Sequence, residues 1–257
     1  MTAPTLDRID GSALRYLQAG ETQEPSSITL MLHGSDSSGA NLLPLARRFA
    51  AQLPGVLFVI PNAPQSYADV LPPEEIAATE RSRPNLDWNE VRTWVSPATP
   101  GSGGEHSPRQ QFLDSIRPPV RAVSRLADLL LARHALSDAS LSMYGFSQGG
   151  MLAMYVGIAR AAPCAGIVCH SGHFLGAEDV RSRPRSLLVV GSLELQPDQM
   201  MSQVYPHTTK ALAEFGVPFD ELISDGLGHD VNEEVVDRAV AFFKDVHGSV
   251  AAKSDGA

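Results

Sequence analysis

Gly145-Phe146-Ser147-Gln148-Gly149-Gly150 sets one serine between glycines placed two residues to either side. A serine on a sharp turn between a strand and a helix is presented for attack on a carbonyl carbon. Glycines at those two places let the strand and helix close around the strained turn. The neighbouring residues fit this reading. Ala139 to Tyr144 predicts a short strand ahead of the serine, and Met151 to Ala159, apolar on nearly all sides, predicts a buried helix after it.

A serine hydroxyl needs a base to take its proton, and the base is usually oriented by an acid. With the chain order nucleophile, acid, histidine, the candidate bases are His170, His173, His207, His229 and His247. His229 stands out because it lies in Asp225-Gly226-Leu227-Gly228-His229-Asp230-Val231, a glycine-flanked loop between the last predicted strand and the last predicted helix. His170 and His173 form an H-x-x-H without a third metal-ligand pattern and read as core or loop histidines, so neither metal nor cofactor is expected. The acid should emerge just after a strand at Ser186 to Val190, where two carboxylates compete. Glu194 is nearer the strand end, and Asp198 opens a predicted helix after Pro197 that it could equally cap. The oxyanion donors expected are the backbone N–H of Gln148 and, from the loop Leu32-His33-Gly34-Ser35-Asp36, that of Ser35.

These residues need a scaffold, and the hydrophobic pattern supplies one. Strand-like runs at Ile28 to Leu32, Val56 to Ile60, Gly166 to Cys169, Ser186 to Val190 and Phe219 to Ile223 alternate with helical patterns. The pattern predicts an α/β fold with a mostly parallel central sheet and helices on both faces. One helix should carry Leu42, Leu45, Ala46, Phe49 and Leu53. A second should start near Pro118 and Pro119, and a last one near Asn232, with Glu233 and Glu234 in its first turn. Leu14 to Leu17 reads as an antiparallel edge strand. A single domain over 1–248 is expected, with a Pro- and Gly-rich excursion at 65–109 that reads as a lid-like loop, and a disordered tail at 249–257.

With 29 acidic against 20 basic residues in 257, formal charge −9, the chain offers no basic field for nucleic acid. Cys164 and Cys169 are too far apart along an extended strand to bridge, so free buried thiols and a reducing compartment are expected. No secretory signal or bilayer-length apolar run is evident, and a cytoplasmic protein without a membrane span is the expectation.

Taken together, Leu32-His33-Gly34, Pro61-Asn62-Ala63-Pro64, Gly145 to Gly150 and Gly226-Leu227-Gly228-His229 resemble the carboxylesterase, lysophospholipase and acyl-protein thioesterase family of α/β-hydrolases. The resemblance implies cofactor-free cleavage of a small ester or thioester through an acyl-enzyme. It favours Asp198, at the head of Asp198-Gln199-Met200-Met201, over Glu194 as the acid partner of His229. The chain departs from the family at His33-Gly34-Ser35-Asp36-Ser37-Ser38-Gly39, which is more polar beside the oxyanion hole, and at the acid, where seven residues separate Gly191 from Asp198. Trp88 and Trp94 lie in the excursion and are candidates for lining an acyl pocket, with lid packing the alternative. Two other readings stay open: an acyltransferase or perhydrolase on the same triad, and a ligand-binding protein on a hydrolase fold that has lost catalysis.

Overall fold

A computed structural model describes residues 5–82, 90–95 and 108–254. The chain runs β1 (Asp7–Arg8), β2 (Arg15–Gly20), β3 (Ser27–Leu32), α1 (Gly39–Ala50), β4 (Val56–Pro61), β5 (Gln65–Ser66), α2 (Tyr67–Val70), α3 (Pro73–Ser82) and β6 (Arg92–Thr93). It continues with α4 (Pro108–Arg133), β7 (Leu141–Phe146), α5 (Gln148–Ala159), β8 (Gly166–His170), β9 (Ser186–Gly191), α6 (Met200–Glu214), β10 (Phe219–Ser224) and α7 (Glu233–Ser254). Eight strands form one sheet in the order β1-β2-β4-β3-β7-β8-β9-β10, with β5 and β6 paired separately. From β4 to β10 all neighbours are parallel; β2 runs antiparallel to β4 and β1 antiparallel to β2. The antiparallel strand expected near Leu14 is therefore present, with the two residues of β1 forming the outer edge beyond it.

The central strands are buried along both faces, which is why they read as unbroken apolar runs rather than alternating ones. Side chains that point one way, among them Ile28, Leu30 and Met143, pack with Val123, Leu126 and Leu130 of α4, with Leu152 and Val156 of α5, and with Leu212 of α6. Those that point the other way, among them Met31, Phe58 and Tyr144, pack with Leu42 and Phe49 of α1 and with Val236 and Phe243 of α7. The Phe49 ring sits at the centre of that second layer, with centroids 6.1 Å from Phe58, 5.5 Å from Tyr144 and 6.0 Å from Phe243.

Three local expectations change. Helix α4 starts at Pro108 and takes Pro118 and Pro119 into its interior. A proline inside a helix costs about 3 kcal/mol, but the extra turns bury Leu113 and Ile116 in the core. The excursion is not structureless over its described part, since β5, α2, α3 and β6 are built from it. The helix α7 continues to Ser254, past the start of the expected tail at 249. Cys164 and Cys169 are both free, and burial pushes both thiols up to about 12. Among the described residues no helix is long and apolar enough to cross a membrane.

Candidate active site

Ser147 joins β7 to α5 with φ 54° and ψ −121°, a positive φ that a residue with a side chain adopts only under constraint. Its N–H donates to the carbonyl of His170 at 2.8 Å, and its own carbonyl accepts from Gly150 and Met151 at 2.9 and 3.1 Å. The flanking glycines are steric necessities. A Cβ on Gly145 would lie 2.1 Å from the Gly149 oxygen, and one on Gly149 would lie 2.0 Å from the Leu32 oxygen. With no side chain at either place, the start of α5 is wedged against the ends of β7 and β3. The helix then points its positive N-terminal end at the serine.

Two strands away, β9 ends at Gly191 and a single 3-10 turn, Ser192–Leu195, follows at once. That turn buries Glu194 and aims it back at the sheet. Oε2 accepts from the Ser171 hydroxyl at 2.6 Å and from the Gly191 N–H at 3.0 Å, while Oε1 lies 2.6 Å from His229 Nδ1. Burial alone would raise the carboxyl pKa, but the bonds from His229, Ser171 and Gly191 outweigh it and hold Glu194 below its ordinary value. With Nδ1 donating to Glu194, Nε2 is the basic nitrogen of His229. The ring rests on Phe146, the residue before Ser147, with centroids 4.7 Å apart. Among the described residues no hydrogen bond joins Ser147 Oγ to this ring, a contact that commonly tightens only with substrate bound.

The His229 loop is fastened to the acid turn. Leu193 N–H donates to the Leu227 carbonyl at 3.0 Å, and Gly226 N–H donates to Ser192 Oγ at 2.9 Å. A Cβ on Gly191 would come within 2.2 Å of the Leu227 oxygen. Asp198, the carboxylate favoured by the resemblance, stands elsewhere. It is exposed, and its carboxylate accepts from the Gln199 side chain at 3.3 Å. It does not cap a helix either, because α6 begins at Met200 with Gln199 as its N-cap. The 3-10 turn is the physical reason for the correction: it spends the residues after the strand in a tight coil, so the third one, not the seventh, faces the histidine.

The loop after β3 passes directly beside Ser147, since a Cβ on Gly34 would lie 3.1 Å from Ser147 Cβ. Ser35 follows in this loop, and Gln148 is the first residue of α5. Buried His33 braces the loop, donating from Nδ1 to the Gly34 carbonyl at 2.7 Å and accepting the Ala63 N–H on Nε2 at 3.1 Å. Burial holds His33 down to about 4, so the ring is neutral and keeps that tautomer. Tyr67 shares its hydroxyl with the side chains of Asp36, Ser35 and Thr93, and burial together with the Asp36 carboxylate pushes it up to about 12.

Trp94, read as lining an acyl pocket or as packing, is a packed side chain. It is 2% exposed and packs under the loop after β3, its Nε1–H donating to the His33 carbonyl at 2.8 Å and its ring 5.2 Å from that of His33. Its backbone N–H donates to Gln148 Oε1 at 2.7 Å, an oxygen that also accepts the Thr93 hydroxyl at 3.1 Å, and Arg92 N–H donates to the Ser37 carbonyl at 2.9 Å. The segment Arg92–Val95 thus ties together the two stretches that carry the candidate oxyanion donors. Trp88 lies outside the described residues. The sequence reading missed the Gln148 side chain and Ser171, neither of which carries a signal in its local pattern. The two histidines of H-x-x-H diverge: His170 is buried with Nδ1 on the Tyr144 hydroxyl at 2.9 Å, and His173 packs on the ring of Phe112.

The sequence profile of the phospholipase/carboxylesterase family matches residues 108–243, and the chain belongs to that family, which places it among ester hydrolases. No curated relative matches the chain. Among solved structures it is similar to esterase PE8, at 24% identity and TM-score 0.70 over 91% of this chain and 99% of that one. It is also similar to SOBER1 of Arabidopsis thaliana, at 18% identity and TM-score 0.65 over 86% and 98%. A carboxylesterase of Bacillus cereus aligns at 12% identity and TM-score 0.63 over 92% and 96%. At these identities the structural likeness establishes the α/β-hydrolase fold.

Proposed function

We propose that the protein hydrolyses carboxylic esters or thioesters through an acyl-enzyme formed on Ser147, with His229 as base and Glu194 as the acid that orients it. The observation that carries this reading is the buried Glu194, bonded to His229 Nδ1 at 2.6 Å on the same sheet edge as the strained serine. Ser147 Oγ attacks the carbonyl carbon as its proton passes to His229 Nε2. The oxyanion is met by the N–H groups of Gln148 and Ser35, and Glu194 stabilises the imidazolium. Collapse breaks the bond to the alcohol or thiol, which leaves with the proton from His229. Water then repeats the attack on the acyl-enzyme, giving its proton to His229, and the acid departs with Ser147 restored.

A fluorophosphonate probe tests this, because only an activated serine attacks phosphorus at a useful rate. One label at Ser147, lost in Ser147→Ala, is the expected result. Folded wild-type protein that takes no label would overturn the reading.

A further inference from the structure

Among the described residues the large hydrophobic side chains most open to water are Leu193 at 50%, Met200 at 62% and Ile223 at 50% exposed. The first two are gathered at one place. They line a cavity of about 300 Å³ together with Glu194, Gln199, Met201, Gly228 and His229. Met201 is buried and forms an apolar part of its wall. Glu194 is the only charged side chain there, and its carboxylate is already engaged by Ser171, Gly191 and His229. The groove therefore offers apolar surface and no free charge, directly against the base of the site.

Its position says which half of an ester it would hold. In the reaction proposed above, on which this inference rests, His229 returns its proton to the departing oxygen or sulfur, so that atom must lie within reach of the imidazole. Whatever that atom carries extends past His229. The carbonyl oxygen goes the other way, toward Ser35 and Gln148, and neither of those lines the groove. Methionine side chains are flexible and polarisable, and they fit unbranched chains of differing length better than one rigid shape. We infer that this groove binds the leaving group, and that the leaving group is an uncharged aliphatic alcohol or thiol.

Two ester series separate the halves of the substrate: acetates of ethanol, butanol, hexanol and octanol, and ethyl esters of acetic, butyric, hexanoic and octanoic acids. Each methylene buried can raise kcat/KM by up to about fourfold. The expected result is a rise of about two- to fourfold per methylene along the alcohol series until the groove is full, with a shallower rise along the acid series. Leu193→Gln and Met200→Gln, both at exposed positions that folding tolerates, should each lower the octyl-to-ethyl ratio at least about fivefold. A flat alcohol series, a steeper acid series, or variants that keep the wild-type ratio would overturn the inference. If Ser147 takes the fluorophosphonate label while the alcohol series is flat, the groove alone is misassigned; if there is neither label nor ester cleavage, the hydrolase reading falls with it.

Discussion

Glu194 reaches His229 across 35 positions of chain with a 2.6 Å contact from Oε1 to Nδ1, and it does so from the third residue after the end of β9. The parallel strand fixes where the turn begins, and the turn fixes where the carboxylate points. Glu194→Gln keeps the shape but removes the charge that holds the histidine tautomer. It should lower kcat for p-nitrophenyl acetate at least about a hundredfold, while Asp198→Asn stays within a few-fold of wild type. The opposite ranking would return the acid to Asp198.

Trp94→Phe removes the indole N–H that donates to the buried His33 carbonyl and keeps most of the ring. An unsatisfied buried acceptor costs about 1–3 kcal/mol, so Tm should fall by several degrees. Because the same segment holds Gln148, kcat should fall about tenfold or more with KM within a few-fold of wild type. A loss confined to Tm would limit Trp94 to packing.

Two glycines near His229 differ sharply in what surrounds them. A Cβ on Gly191 would meet the Leu227 and Gly228 oxygens at 2.2 and 2.6 Å, whereas one on Gly228 would meet nothing within 4 Å. Gly191→Ala should force the His229 loop away from Glu194 and abolish most activity, and Gly228→Ala should fold with a Tm close to wild type. Equal behaviour of the two in activity and melting assays would contradict this geometry.

Stability should decline on the acid side well before carboxylates titrate. His33 and His170 are fully buried, and burial lowers both from 6.5 to about 4. Between those values the unfolded chain takes up protons that the folded chain refuses. Each residue therefore contributes a loss of about 1.4 kcal/mol per pH unit as pH falls through that window. Glu194, whose folded pKa is lowered, adds to the loss only below its ordinary value near 4.5. Melting curves from pH 7.5 to 4.5 should show Tm falling steadily below about 6.5; a flat Tm from 6.5 to 5 would exclude the mechanism.

The sheet was legible because strands buried on both faces leave long apolar runs, and the ends of β3, β4 and β9 fall within a residue of where those runs stop. The turns that hold Ser147 and His229 were legible for a related reason: tight turns at strand ends need glycines, and glycines show in a sequence. Which carboxylate meets His229 was not, because Glu194 and Asp198 differ only in how the intervening chain coils, and a 3-10 turn of four residues leaves no period to read. Pro118 and Pro119 misled the placement of α4, since burial of Leu113 and Ile116 outweighs the local preference for a helix start. The two-residue strands β5 and β6 are too short for any pattern.

The Arg92–Val95 segment works as a clasp. The chain leaves the sheet after β4, returns to the site at these four residues, and rejoins the sheet only at β7. Its backbone and side-chain bonds to Ser37, His33 and Gln148 fasten that long digression to the loop after β3 and to the start of α5. A change of sequence in the digression can therefore be felt at Ser37, His33 and Gln148 through these four residues.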